Sequence, residues 1–396
     1  VICSHSLGTA GLTPFTRSAN LKSLIMRFIH CADFHLGKPF GTFDEDTRAA
    51  LKTARLDALR ATGNLAMERG AELVLIAGDT FDAEAPPSRL VRRAIDIMAD
   101  FSSITWIWMP GNHDSLAAVD LWERIERDRP ENVILATKAE VIEIGQDVAI
   151  LPAPPAVRSP GFDLTDWMTR AETGDRIRIG LAHGGVTDFG SEDGGLATIP
   201  PDRAEQSDLD YLALGDWHGQ MAIGQKTWYA GSPEADGFKG HSEAGVLLVS
   251  IDARGTAPRV EPIPLGRYKW HRLEVSFFAG SDPVESMMMA LPEADRAHAL
   301  IKLIGSGRLT LSELARLKEA CDGIADAFHY FDADLMKIGI KQNEDDLDLI
   351  AESGALRVAA ESLLAETSTD GRTEEDAHIA QQALSHLFHL AQEVDQ

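Results

Sequence analysis

Short apolar runs alternate with longer amphipathic stretches from residue 26 to residue 268. Strands are expected at 27–31, 73–77, 104–109, 133–136, 141–144, 148–151, 177–182, 211–214, 228–230 and 246–251, because each run is brief, apolar and bounded by turn residues. Helical periodicity occupies 46–69, 88–100 and 116–127. In the first of these, Leu51, Leu59 and Leu65 fall on one apolar stripe, and Pro86-Pro87 ahead of Ser88 forms a natural helix entry. This alternation predicts a layered α/β domain over 26–268. Residues 152–155 and 189–197, rich in proline and glycine, are expected as surface loops.

The pattern changes near Trp270. Strands are expected at 270–278 and 299–304 around a short helix, followed by a helix at 309–320. From Glu344 the chain reads as mostly helical, broken by a polar loop at 367–372. A smaller α+β unit with terminal helices is therefore expected over 269–396. Residues 1–25 show no period and neither the apolar core nor the cleavage site of a secretory signal, so they read as a disordered lead or an over-extended start.

Composition narrows the class. A hydrophobic content of 44% suits a protein with a real core. No stretch approaches the ~18 apolar residues of a membrane span, so no membrane partner is expected. Three scattered cysteines suggest a reducing compartment, and a cytoplasmic location is the expectation. The net charge of −25 argues against a broadly basic nucleic-acid surface. It is uneven: residues 321–396 hold 17 Asp/Glu against 4 Lys/Arg, a balance of −13. A solvated helical face explains that excess more simply than an acidic effector tail.

Five segments close apolar runs with side chains that ligate divalent cations. They are Asp33-Phe34-His35, Gly78-Asp79-Thr80-Phe81-Asp82, Gly111-Asn112-His113-Asp114, Ala182-His183-Gly184 and Gly215-Asp216-Trp217-His218. Alone, each has an ordinary explanation: Asp-x-His a loop, Gly-Asp-x-x-Asp a turn with a helix cap, His183 a satisfied buried histidine. His5, His30, His241, His271, His298, His329, His378, His386 and His389 keep that ordinary reading. Together, at strand ends and in this order, the five segments offer the carboxylates, imidazoles and amide that two cations need. Asp79 is the best placed by type to bridge them. Two such ions ~3.5–4 Å apart can clamp attacking and leaving oxygens and draw a nucleophile from water, so no side-chain nucleophile is required. Mixed O and N ligands suit Mn, Fe or Zn.

Those segments, in that order, resemble the calcineurin-like metallophosphoesterases. Phe-Ile-His-Cys-Ala-Asp-Phe-His-Leu-Gly (28–37) and Tyr-Ala-Gly-Ser-Pro-Glu (229–234) are similar to their DNA-repair exonuclease branch, the SbcD-like nuclease subunits. The resemblance spans about residues 26–265, with a looser likeness to a small capping domain beyond. It implies a four-layer αββα sandwich around two Mn²⁺ ions. Asp33, His35, Asp79 and His218 would hold one ion, and Asp79, Asn112, His183 and Asp216 the other. His113 would be the catalytic acid, with Asp114 orienting it. One position departs: the family usually has Gly-His-x-His where this chain has Gly215-Asp216-Trp217-His218. A third carboxylate should favour a harder ion such as Mn²⁺ over Zn²⁺.

Substrate and partners follow less directly. Lys38, Lys226 and Lys239 lie near the motif loops and are the weak candidates for substrate phosphates. The resembling nucleases act on DNA with an SMC-like coiled-coil ATPase that docks C-terminal helices; here 348–364 and 374–394 carry suitable apolar positions, and a homodimer stays open. Three readings remain. The first is a Mn²⁺-dependent DNA exonuclease in repair. The second is a phosphodiesterase for a small nucleotide or phospholipid, and the third a catalytically weak scaffold.

Overall fold

The computed structural model describes residues 25–187, 198–238, 244–341, 347–348, 350–351, 353–367 and 373–394. The first sheet joins β1 (Met26–Cys31), β2 (Leu73–Ala77), β3 (Thr105–Met109) and β4 (Val133–Leu135) with β11 (Gly245–Ile251) and β12 (Arg259–Pro264), in the order β12-β11-β1-β2-β3-β4. Strands β1 to β4 run parallel, and β11 returns antiparallel to β1. The second sheet contains β5 (Ile142–Ile144), β6 (Val148–Ala153), β7 (Ile177–His183), β8 (Tyr211–Gly215), β9 (Met221–Ala222) and β10 (Thr227–Tyr229), in the order β5-β6-β7-β8-β10-β9.

Strand geometry sorts the apolar runs into layers, because successive side chains point to opposite faces. In β2, Leu73, Leu75 and Ala77 face the other sheet and meet Ile150, Ile179 and Tyr211. Val74 and Ile76 face outward, under α1 (Glu45–Arg69), α2 (Ser88–Ala99) and α3 (Val119–Asp128). Strands covered on both faces read as continuous apolar runs, which is why they were legible. The outer face of the second sheet is covered thinly, by a 3-10 turn at Asp166–Arg170, by α4 (Arg203–Gln206) and by loops. The result is a four-layer αββα sandwich whose second helical layer is slight. Neither that turn, nor α4, β9 or β12, is predicted by periodicity; all four are short or largely exposed. The loop expected at 189–197 lies outside the described residues.

A third sheet begins at Lys269. Strand β13 (Lys269–Phe278), α5 (Pro283–Ala290), β14 (Ala299–Leu309), α6 (Leu311–Ala325) and β15 (Tyr330–Ile340) alternate, with all three strands parallel. A capping box starts α6, with Thr310 and Glu313 satisfying each other's backbone N–H groups. Strand β14 runs past the predicted end at 304 because Gly305 and Gly307 are part of it, not its terminators. A Cβ at Gly307 would meet the Phe277 carbonyl oxygen at 2.0 Å, so only glycine permits that approach. Strand β15 is missed by periodicity, since Asp332, Asp334 and Lys337 interrupt a half-exposed edge strand. Helices α7 (Ala355–Glu366) and α8 (Glu374–Val394) pack Leu364, Leu384 and Phe388 against Leu311.

The two parts meet through aromatic rings. Phe43 lies 4.7 Å from Tyr330 and 5.5 Å from Trp270, and Phe238 lies 4.8 Å from Trp270. Among the described residues no helix is long and apolar enough to cross a membrane.

Candidate metal centre

Strands β1, β2, β3, β7 and β8 deliver their C-terminal ends to one edge of the sandwich, and the candidate ligands follow those ends. The backbone is bent sharply there. Asp33, His35, Asp79 and Asp216 all have positive φ (55°, 41°, 51° and 104°), four of the seven non-glycine residues in that state among the described residues. Each costs of order 1–3 kcal/mol and persists only when its surroundings enforce it. The enforcement is visible: Asp33 N–H donates to the Gly78 carbonyl (3.1 Å) and His35 N–H to the Asp79 carbonyl (3.0 Å). Gly111 leaves room for Asp79, because a Cβ there would lie 2.0 Å from its Oδ1.

The donor atoms converge. His183 Nδ1 donates to the Ala77 carbonyl (2.8 Å), which fixes the tautomer and leaves Nε2 as a lone pair. That Nε2 lies 3.3 Å from Asn112 Oδ1, 3.5 Å from Asp79 Oδ2 and 3.9 Å from Asp216 Oδ1. On the other side of Asp79, His35 Nε2 is 3.6 Å from the same Oδ2 and 3.1 Å from His218 Nε2. Both of those rings have carboxylates at Nδ1: Asp82 Oδ1 at 3.2 Å from His35, and Asp236 Oδ2 at 3.1 Å from His218. When Nδ1 carries the proton in each ring, the two Nε2 lone pairs face one another across 3.1 Å. That arrangement is repulsive by itself and becomes favourable around a shared cation. Asp79 Oδ2 thus lies between a His35 and a His183 nitrogen, at 3.6 and 3.5 Å.

The charges make the same demand. Burial pushes the Asp33 carboxyl up to about 7. Burial also opposes ionisation of Asp79, yet His183, His35 and His113 together hold it well below the carboxylate range. His183 is buried, which disfavours its charge, but Asp79, Asp33 and Asp216 drive its affinity for a proton far above normal. His35, by contrast, is lowered by burial to about 4, so it stays neutral and able to ligate. A pocket of carboxylates that recruits a proton onto a buried imidazole is a pocket suited to cations. The donor set is O and N without thiolate, which fits divalent Mn, Fe or Zn.

Each predicted residue has a definite place. Asp33, His35, Asp79, Asn112, His183, Asp216 and His218 share the cluster just described, and Asp33 Oδ1 accepts from Asp216 N–H (3.2 Å). Ligand atoms of Asp33, His35 and His218, and separately of Asp33, Asp79 and His183, lie within 4.8 Å of one another. The His113 ring stands edge-on to His35, centroids 4.8 Å apart, and its Nδ1 donates to the Asp82 carbonyl (3.0 Å). Asp114 is fully buried, with its carboxylate accepting from Gly111 N–H (2.7 Å) and Phe81 N–H (3.0 Å), so it anchors the loop that carries Asn112 and His113. Burial raises it to about 7. Lys38 Nζ is paired with Asp236 (2.5 Å), and Lys226 Nζ donates to the Leu209 carbonyl (2.8 Å) at the end of β8 remote from the cluster. Lys239 lies outside the described residues.

Three residues without a predicted role support the cluster. Asp236 joins His218 to Lys38, with Arg55 at 3.8 Å. Arg55, 1% exposed, donates to the Phe34 carbonyl (2.6 Å) between Asp33 and His35. Asp82 holds two histidine rings, His35 by its carboxylate and His113 by its carbonyl. The sequence signal for Asp82 was its place in Gly-Asp-x-x-Asp. Asp236 and Arg55 had none, because their contacts join residues far apart along the chain.

Comparison with known proteins completes the picture. Residues 26–220 match the family model described as calcineurin-like phosphoesterase. An uncharacterized metallophosphoesterase of Bacillus subtilis, YhaO, is 26% identical over 242 residues, covering 57% of either chain. The SbcD component of the nuclease SbcCD from the same organism is 26% identical over 270 residues, 58% of this chain and 66% of that one. Its Escherichia coli K12 counterpart is 32% identical over 97 residues, 24% of this chain and 23% of that one. The matches thus span less than two thirds of these relatives' length. Among solved structures, TT1561 of Thermus thermophilus overlays with a TM-score of 0.37 at 13% identity, covering 60% of this chain and 99% of that one. GAP50 of Plasmodium overlays at 0.39 and 11%, covering 61% and 84%.

Proposed function

Because residues 26–220 are a calcineurin-like phosphoesterase domain, we propose that this chain hydrolyses phosphodiester bonds in DNA, as a Mn²⁺-dependent exonuclease acting in repair. The observation that carries the hydrolytic part is the placement of Asp79 Oδ2 between two histidine nitrogens, 3.6 Å from His35 and 3.5 Å from His183. Asp33, His35, Asp79 and His218 would hold one cation, and Asp79, Asn112, His183 and Asp216 the other. When bound, the pair supplies a nucleophile from water and offsets the charge of the phosphate. The chain's own residues do the rest. His113, oriented through Nδ1 by the Asp82 carbonyl, presents its second nitrogen and donates a proton to the leaving oxygen. Asp114 keeps that loop in register. Asp236 and Asp82 aim the histidine rings.

DNA as the substrate rests on the likeness to two proteins named as components of a nuclease. The chain carries −25 overall and its Lys38 is engaged by Asp236, so a partner must supply much of the grip on phosphates. An SMC-like ATPase fits that need. Exposed Leu356 and Val358 on α7, and Ile379 and Leu390 on α8, are apolar positions it could cover. The test is digestion of end-labelled linear duplex with Mn²⁺, by the chain alone and with an SMC-like coiled-coil ATPase added. Release of nucleotides supports the reading, and none under either condition overturns it. The same acidity favours a second reading, a small phosphodiester substrate, which efficient turnover of such an ester with none on DNA would establish.

A further inference from the structure

A short segment, 234–238, ties the cluster to the C-terminal unit that begins at Lys269. Its alternate residues reach three different neighbours. The buried Glu234 carboxylate accepts from the backbone N–H groups of Arg267 (2.7 Å) and Tyr268 (2.9 Å), in the linker that enters β13. Asp236 Oδ2 lies 3.1 Å from Nδ1 of the candidate ligand His218. Phe238 stands edge-on to Trp270 of β13, centroids 4.8 Å apart. A second path runs beside the first. Arg55 is 3.8 Å from Asp236 and lies 5.6 Å over the Phe40 ring, and Phe40 in turn stacks on Trp270 at 6.4 Å. The linker has little slack, because a Cβ at Gly266 would lie 2.8 Å from the Ala244 Cβ.

We propose that residues 234–238 couple the first cation site to the junction between the two parts, so that filling the His35–His218 site steadies the C-terminal unit on the phosphoesterase domain. With the site empty, the facing nitrogens of His35 and His218 repel across 3.1 Å, and a turn of the His218 ring relieves this and releases Asp236. With the site filled, the ring is fixed and its Nδ1–H becomes a stronger donor. Asp236 is then held, and Glu234 and Phe238, two residues to either side, stay where the linker and Trp270 need them. The two arrangements differ in their contacts to the cation, which is what a shift of population requires. The inference rests on the reading that the cluster holds cations, and on nothing about the substrate.

Hydrogen–deuterium exchange of the full chain, with and without saturating Mn²⁺, reads the junction without turnover, because the Arg267 and Tyr268 amides are the ones that Glu234 binds. Mn²⁺ should slow exchange at 265–270 about fivefold, the lower end of usual coupling between sites. Exchange at 133–135, on the far edge of the first sheet, should not change. Asp236→Asn, at Mn²⁺ concentrations that calorimetry shows to saturate it, should lose the slowing at 265–270. Phe238→Ala removes no candidate ligand, yet it should weaken Mn²⁺ binding about fivefold, since coupling is reciprocal. Phe238→Leu keeps apolar bulk and serves the same comparison if the alanine variant does not fold. Mn²⁺ bound without slower exchange at 265–270, equal slowing at 133–135, slowing that survives in Asp236→Asn, or unchanged Mn²⁺ affinity in the Phe238 variants overturns the coupling alone. No Mn²⁺ binding by wild type in calorimetry overturns the cation reading, and the coupling with it.

Discussion

Removing Asp236 should loosen the first cation without unfolding the domain. Its Oδ2 lies 3.1 Å from His218 Nδ1, and its side chain is only 11% exposed, so water replaces it poorly. Despite burial, the His218 hydrogen bond and the charges of Arg55 and Lys38 hold its carboxyl well below the usual range, so it is ionised at any working pH. Loss of a carboxylate behind a metal-binding histidine typically costs 10–100-fold in affinity, or about 1.4–2.7 kcal/mol. Two variants separate the contributions. Asp236→Asn keeps an acceptor for Nδ1 and loses only the charge, so about tenfold is expected. Asp236→Ala loses both and leaves Lys38 and the 1%-exposed Arg55 facing the cluster as uncompensated cations, so about 100-fold is expected. Mn²⁺ titration of metal-stripped protein, followed by calorimetry, measures the affinity, and thermal unfolding of the same samples measures stability. Unchanged Mn²⁺ affinity in both variants, with only Tm lowered, would show that Asp236 is merely structural and refute the reasoning.

Other expectations follow from the same geometry. His113→Ala should lower kcat about 10²–10⁴-fold with Mn²⁺ affinity unchanged; a parallel loss of metal would move His113 from proton donor to ligand. Asp216→His should shift ion preference from Mn²⁺ toward Zn²⁺, and equal preference in variant and wild type would count against a ligand role for this carboxylate. His30 offers a pH test away from the cluster. It is fully buried, donates through Nε2 to the Leu214 carbonyl (3.2 Å) and accepts from the Tyr211 hydroxyl (2.9 Å), and burial lowers it to about 3. The unfolded chain binds its proton near pH 6.5 and the folded chain does not, so stability present above 6.5 is lost as pH falls toward 3. By pH 5 the loss is about 2 kcal/mol. Urea unfolding of wild type and His30→Gln at pH 7 and 5 should show the variant losing less by that amount; identical losses would exclude a proton-linked role.

Legibility in the sequence tracked how local each contact is. Strands buried on both faces, such as β2 and β3, and ligands that directly follow them were readable because composition and chemistry sit within about ten residues. Strand β15 was not, since an edge strand tolerates Asp332, Asp334 and Lys337 on its open side. The lysines show the limit most clearly. Lys38 and Lys226 are near motif loops in sequence, but Asp236 claims one and strand register carries the other to the far end of β8. No window along the chain encodes either outcome.

The cluster unites features that are each unfavourable alone. Four residues hold left-handed backbone, two imidazole nitrogens face one another at 3.1 Å, and Asp33, Asp79 and Asp216 crowd around one histidine. At roughly 1–3 kcal/mol per strained residue, the backbone term alone rivals a large part of the ~5–15 kcal/mol by which domains are stable. Such a combination persists because the double-sided core of the first sheet pins β1 and β2, and because Gly78 and Asp79 carbonyls lock the loop between Asp33 and His35. What the strain secures is convergence of carboxylate and imidazole donors on one small volume, an arrangement that a divalent cation would favour. Asp216 belongs to this logic. Its backbone N–H caps Asp33 while its carboxylate turns toward Asn112 and His183, so an anion stands where the resembling family offers a neutral ring. By the chemistry of hard donors that exchange should raise the cluster's demand for positive charge and favour a harder ion, the outcome that the Asp216→His comparison measures.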